Sequence, residues 1–562
     1  MEKNEITLIL TGLLPGAVLV SVVLTAVTSW IFLQLYRRRV LQLMVQLQDT
    51  APEPSERKAK TDNQSNGEVP SLLIEEEQLD MPPAMDSSQE ERGRASTSLR
   101  TSGIIYALGG LIFALVFAAV WMISKGGGFF FGRFLFLVAC YLFPAVLAVN
   151  MATATNKREV LSIVGAYGVV MLTVIWFTLS RNPDLPLIQP LQFWLIANTP
   201  GTVLLFIFHH SRIRSVSPMM LGFMTAGMAG AFLLVEMVSL NQNSLQFLVK
   251  IGGIVGITGR PLLLLIELTG FIALGFFGWR FLLWLGKRYR AKRLSDQSIT
   301  IDALFLFFAI VNSFILVFDG WQWILTGPLA FAAYKTTTIA GFRMMARSSE
   351  GSAGAPMLLL LRVFALGRRS ERFFDAFSKK WRYHGSIILI SGPDLMTKTV
   401  EPHEILDFVS GRLAQQFVKN TDDLERQIAA LDRRPDPDGR FRVNEFFCHA
   451  DTWQMTMRRL ANECKAILMD LRGFTQENQG CLYELEQLLL YVDLGRVVFL
   501  VDSTTDRVFL EETLHLLWLR VDRTSPNRAS SSPTVRLFPV MGQQRQAMNR
   551  LQTMLLEAQT AA

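Results

Sequence analysis

The run AILMDLRGFTQENQGCLYELEQLLL, residues 466–490, decides how the C-terminal part of this chain is read. Ala466–Leu471 is a short, almost wholly apolar run. Such a run suits a strand covered on both faces, the condition of a parallel sheet flanked by helices. Asp470 and Arg472 close it, and a polar loop follows with Thr475, Glu477, Asn478 and Gly480. A helix then starts, carrying Cys481, Glu484 and Leu485, with Glu484 expected within about its first turn. In open α/β sheets, ligands sit beyond the carboxyl ends of the strands, where helix N-termini also point their N–H groups. Glu484 is therefore placed where a carboxylate can meet a ribose hydroxyl or an oxocarbenium-like centre.

Outward from this run, the same alternation recurs. Strands are expected at Met357–Phe364, Ser386–Ile390, Arg496–Val501 and Val535–Val540. Helices are expected over 369–381, 402–418, 421–432, 451–463, 478–491, 507–519 and 542–557. Residues 357–562 thus read as a three-layer α/β domain with a parallel sheet, of flavodoxin-like type. Residues 346–356, rich in Ser, Gly and Ala, read as a hinge.

The N-terminal part is of another kind. The chain has 562 residues, half of them hydrophobic and 18% charged, and its mean hydropathy is +0.29. About 20 apolar residues cross a bilayer. By that criterion about nine spans are expected, near 6–36, 103–123, 129–150, 159–180, 190–209, 218–239, 261–286, 301–318 and 321–341. Residues 1–48 hold the first span with its basic flank, and 101–345 the remaining bundle. Every second junction is basic, as in Arg37-Arg38-Arg39 and Lys287-Arg288. The positive-inside rule puts the N-terminus outside and the C-terminal domain in the cytoplasm. The formal charge of +7 is then topological, and nucleic acid is not expected as a partner. Residues 240–260, interrupted by glycines, read as an interfacial or re-entrant segment. Residues 49–100 carry 12 acidic and 6 basic residues. They read as a disordered acidic cytoplasmic linker, with few apolar residues to offset the entropy of ordering. Within it, Ser71-Leu72-Leu73-Ile74 reads as incidental or as a short docking motif.

Standard motifs are absent: no P-loop, HExxH, GxSxG or GxGxxG after a strand. Four cysteines without a CxxC pair give neither a disulfide framework nor a zinc site. No metal or cofactor is expected. Arg362 and Arg472, at strand ends, suit phosphate or a salt bridge to Asp470 or Glu484. Trp453 suits stacking on a base or packing in a crevice. Phe447-Cys448-His449 places a thiol and an imidazole together, though sequence neighbours seldom face each other. In the bundle, Arg133, Glu236, Glu267, Arg280 and Lys335 mark an ion path or pair with one another, as intramembrane charges do.

Gly480-Cys481-Leu482-Tyr483-Glu484-Leu485 resembles the start of the corresponding helix in Toll/interleukin-receptor (TIR) domains, and looks like that of nucleoside deoxyribosyltransferases. Leu360-Leu361-Arg362-Val363-Phe364, followed by Arg369 and Phe373-Phe374, resembles the opening strand and helix of a TIR domain. The resemblance covers about 350–560. A tryptophan often stands where this chain has Gly480, and 392–447 is longer than the usual region. The resemblance implies a bacterial inner-membrane protein with a TIR-like domain that self-associates. It also implies NAD as substrate, with Glu484 as the catalytic residue and Arg362, Asp470, Arg472, Asn478 and Trp453 around the ligand. A non-catalytic receptor or scaffold, and a transporter or channel with a regulatory domain, remain open beside it.

Overall fold

The computed structural model describes residues 14–48, 71–77, 88–126, 128–154, 157–182, 185–209, 213, 216–317, 319–348, 356–362, 368–391, 402–431, 433–449, 451–522, 524–529, 532–540 and 545–560. In chain order the elements begin with α1 (Leu14–Gln48), β1 (Leu73–Glu76), α2 (Ser88–Ser124), α3 (Phe131–Tyr141) and α4 (Phe143–Thr153). Next come α5 (Lys157–Arg181), α6 (Ile188–His209), α7 (Ser217–Leu240), α8 (Gln242–Val255), α9 (Arg260–Arg290), α10 (Asp296–Val317) and α11 (Thr326–Ser348). They continue with β2 (Met357–Arg362), α12 (Arg368–Trp381), β3 (Ser386–Ser391), α13 (Pro402–Val409), β4 (Phe417–Val418) and α14 (Thr421–Ala429). The chain closes with β5 (Val443–Cys448), α15 (Trp453–Glu463), β6 (Ala466–Asp470), α16 (Gln479–Tyr491), β7 (Val497–Val501), α17 (Arg507–Trp518), β8 (Thr534–Pro539) and α18 (Arg545–Thr560). Two compact units result: Met1–Tyr36 with Arg100–Ser348 and Val400–Gly411, and Arg37–Leu99 with Ser349–Thr399 and Arg412–Ala562.

In the helical unit, seven helical stretches among the described residues are long and apolar enough to cross a membrane. They are Val20–Leu43, Ser96–Ser124, Phe131–Thr153, Arg158–Arg181, Ser217–Ser239, Arg260–Arg290 and Asp296–Val317. By length and composition this is a multi-pass membrane chain. The other two expected spans are also helical, as α6 and α11, but are not among the seven. The core is aromatic: Phe113, Phe117, Phe305, Phe308 and Tyr334 are fully buried, and Phe305 stacks on Tyr334 at 3.9 Å. Prolines help start two of these helices. Pro144 and Pro261 are the second residues of α4 and α9, within the first turn, where the missing N–H is not needed. The segment 240–260 holds α8, capped by Asn241 and ended by Gly256 at φ 78°.

Residues 402–409, expected within the α/β domain, group with the helical unit. Tyr36 donates to Glu404 Oε2 at 2.7 Å, and Phe408 meets Phe32 and Tyr36 edge-on. Arg290 pairs with Asp407 at 2.9 Å. This helix stops at Val409, earlier than the expected 418, because Gly411 takes a φ of 71°. Phe417 and Val418 then form β4.

The other unit is an eight-stranded, wholly parallel sheet of order β1-β8-β7-β6-β2-β3-β5-β4. Its middle five strands, β3-β2-β6-β7-β8, follow the flavodoxin order. Alternation along each strand separates two cores. Leu359, Leu361, Ile467, Met469, Val497 and Phe499 face α14 to α17. Leu358, Leu360, Leu468, Val498 and Leu500 face α12 and α18. Three strands were not expected. In β5, Asn444 and Glu445 interrupt the apolar run, and β4 is two residues long. β1 lies in the segment expected to be disordered throughout, where Leu72 finds burial in the sheet core. Residues 88–100 of that linker are also ordered, as the first turns of α2, while 49–70 and 78–87, and hinge residues 349–355, lie outside the described residues.

Candidate functional site

The strand order reverses at β2. Its successor β3 lies on one side and β6 on the other, which makes the carboxyl ends of β2 and β6 the switch point where α/β sheets bind ligands. Arg362 and Asp470 end these two strands in register with each other. Gly473 then turns the chain at φ 71°, a conformation open to glycine. The loop is pinned to its neighbour: Thr505 Oγ1 donates to the Leu471 carbonyl at 3.0 Å and Asp506 N to that of Phe474 at 3.0 Å.

Asp470 and Arg472 are both buried and bind each other twice, Nε to Oδ1 at 2.7 Å and Nη2 to Oδ2 at 2.6 Å. The guanidinium also lies 4.4 Å from the Phe373 ring centroid. Of the two readings of Arg472, the salt bridge is the one present, and its partner is Asp470. The pair acts as a clamp on the β6 end. Asn478 stands at the N-cap position of α16, but its Oδ1 accepts from Thr475 N at 2.8 Å and Thr475 Oγ1 at 3.2 Å. It braces the loop and does not cap the helix. Trp453 begins α15, half-buried, with its ring edge-on to Tyr483 at 5.2 Å.

Glu484 lies in the second turn of α16, not the first, which holds no acid. Helix-dipole stabilisation fades beyond the first turn, so it does not explain a carboxylate there. The side chain is only 5% exposed, and its Oε2 has no hydrogen-bond partner. Burial pushes the carboxyl up to about 8, because a low-dielectric site disfavours the charged form. Cys481, one turn earlier, is buried too. Burial, then the charges of Glu484 and Asp470, push its thiol up, which leaves it an inert thiol.

One neighbouring group was not singled out from sequence. Gln487, one turn after Glu484, is buried with Oε1 unpartnered; the i, i+3 spacing was the available signal. His449 follows β5, stacked on Phe417 at 5.2 Å, with both ring nitrogens buried and unpartnered. Burial lowers its pKa and keeps the ring neutral. It forms no pair with Cys448, whose thiol donates to the Phe446 carbonyl at 3.7 Å and packs in the core of the other side chains.

In the helical unit, Lys335 pairs with Asp302, which also accepts from Tyr334 at 3.1 Å. The expected pairing of Lys335 with Glu236 or Glu267 is not formed, because Asp302 on α10 faces α11. Glu236 and Glu267 are half-buried and Arg280 is exposed. Arg133 lies over Trp121 at 5.5 Å and Phe130 at 6.0 Å. Among the described residues no cluster of His, Cys, Asp and Glu could hold a metal ion. Comparison with known protein families, curated proteins and solved structures finds no match to this chain.

Proposed function

We propose that this chain is a membrane-anchored signalling or defence effector of the bacterial inner membrane. In this reading its cytoplasmic, TIR-like α/β domain binds NAD or a related nucleotide and cleaves the N-glycosidic bond. The observation that carries the reading is Glu484, a buried carboxyl without a partner for Oε2 on the helix that follows β6. An unsatisfied buried acceptor costs about 1–3 kcal/mol, and perturbed carboxyls of this kind concentrate at functional sites.

The chemistry asked of Glu484 is general-base hydrolysis. A water oxygen bonds to the ribose C1′, the C1′–N bond breaks, and its electron pair neutralises the pyridinium nitrogen. The water proton passes to the Glu484 carboxylate. The clamp of Asp470 and Arg472 keeps the β6 end rigid, and Gln487 offers a second acceptor one turn away. A second reading, a non-catalytic receptor or scaffold, draws on the same clamp, because Arg472 is spent on Asp470 and not free for a phosphate. The test uses the full chain in lipid nanodiscs with NAD, following nicotinamide release. Release by the wild type that is lost in Glu484→Gln supports hydrolysis. NAD binding without release supports the receptor, and neither binding nor release removes both.

A further inference from the structure

The edge of the sheet beside β8 is built to receive one particular kind of segment. Residues 72–77, Leu-Leu-Ile-Glu-Glu-Glu, fill it here. Leu73 to Glu76 run parallel to Thr534 to Leu537 in register. Leu73 N donates to the Pro533 carbonyl at 3.0 Å, and Glu77 N to that of Leu537 at 2.9 Å. Alternation divides the side chains between the two faces. Leu72 is buried and Ile74 half-buried in the core that holds α17, and Glu76 meets Arg507 of α17 at 2.9 Å. On the opposite face, Glu77 pairs with Arg550 of α18. One arginine on each face thus reads one glutamate, and the apolar end reads Leu72 and Ile74.

This site recognises a short acidic strand whose alternate residues begin Leu-x-Ile. The segment is supplied between α1 and α2, with residues 49–71 before it and 78–87 after it. At up to about 3.3–3.6 Å per residue, even the shorter tether of ten residues can reach about 35 Å. Ordering six residues costs free energy of the same order as a four-residue edge strand returns.

We propose that β1 is an exchangeable strand, and that the β8 edge takes the 72–77 segment of a second copy of this chain. Every copy carries both the strand and its acceptor. Mutual exchange between two copies is self-complementary and closes as a dimer. Strand addition supplies the affinity through the backbone ladder, and Arg507, Arg550 and the Leu72 pocket supply the specificity.

The experiment uses two differently tagged full-length copies in one membrane. One carries Leu73→Cys and the other Thr534→Cys, the partners in register. Adjacent parallel strands fall within disulfide range, and the four native cysteines are buried. Oxidation is expected to join the two tags covalently. Arg507→Glu with Arg550→Glu in the acceptor copy should abolish the cross-link, and Glu76→Arg with Glu77→Arg in the donor copy should restore it. A single chain carrying both cysteines is the control. If it closes internally while the mixed copies never join, β1 stays in its own sheet and the proposal falls. If neither closes, the register itself is wrong and the proposal falls with it.

Discussion

Replacing Glu484 with glutamine should stabilise the α/β unit, and by more as the pH rises. In the wild type the carboxyl is raised from its ordinary 4.5 to about 8 by burial. Between these two values the folded chain holds a proton that the unfolded chain has released. Stability therefore falls as pH rises, by up to about 1.36 kcal/mol per pH unit, and is flat again above about 8. The accumulated loss is about 5 kcal/mol, most of which is present by pH 7. Below pH 4.5 the acid and the amide are both neutral and nearly isosteric, so the two proteins should be alike. The stabilisation conferred by Glu484→Gln should thus grow from near zero at pH 4.5 to several kcal/mol at pH 8. The assay is hydrogen exchange in peptides from β6 and β7 of the full chain in nanodiscs, corrected for the intrinsic effect of pH. Stability profiles that run parallel from pH 4.5 to 8.5 would refute the claim that Glu484 is charged at a cost. If the proposed hydrolysis holds, the same variant is more stable and inactive, the usual trade-off at a functional site.

Other consequences are open to simpler tests. Nicotinamide release should rise with pH and level off above about 8, because the base acts only when Glu484 is ionised; a rate that falls over this range contradicts its role. Asp470→Ala or Arg472→Ala should each cost about 3–5 kcal/mol, because each strands a buried charge. Asp470→Leu combined with Arg472→Met should cost far less, as urea titration of the full chain can show. A Cβ at Gly230 would run into the Gly270 carbonyl oxygen, and one at Gly270 into that of Gly230. Gly230→Leu should therefore separate α7 from α9 and broaden the size-exclusion profile in detergent, whereas Gly253→Ala, with open space around it, should not. Lys335→Met should lower the melting temperature by leaving Asp302 without its cation in the bundle, and adding Asp302→Asn should recover part of the loss.

The strands that were legible from sequence are those buried on both faces. Leu358 to Leu361, Ile467 to Met469 and Val497 to Val501 have neighbours on every side, so composition alone marks them. The strands that escaped notice lie toward the edges. β5 tolerates Asn444 and Glu445 because they are only half-buried, and β1 shows a mostly exposed pattern. Asp302 was missed for a related reason. It stands at the edge of an apolar run, and only the packing of α10 against α11 reveals that it answers Lys335.

By itself the sequence determined what depends on local periodicity and length. About nine apolar spans were read from it, where seven helices among the described residues are long and apolar enough to cross a membrane, and the C-terminal strands alternate with amphipathic helices. It also marked the end of β6 and the helix after it as the place to look. Only the tertiary structure decided which charges meet. Asp470 takes Arg472 for itself, Glu484 keeps an oxygen without a partner, and β1 leaves an acidic connector to complete the sheet. The physical reason is that desolvation and ion pairing depend on what folding packs around a group, over two residues for Asp470 and Arg472 and over 431 for Glu76 and Arg507, and no local pattern encodes that surrounding.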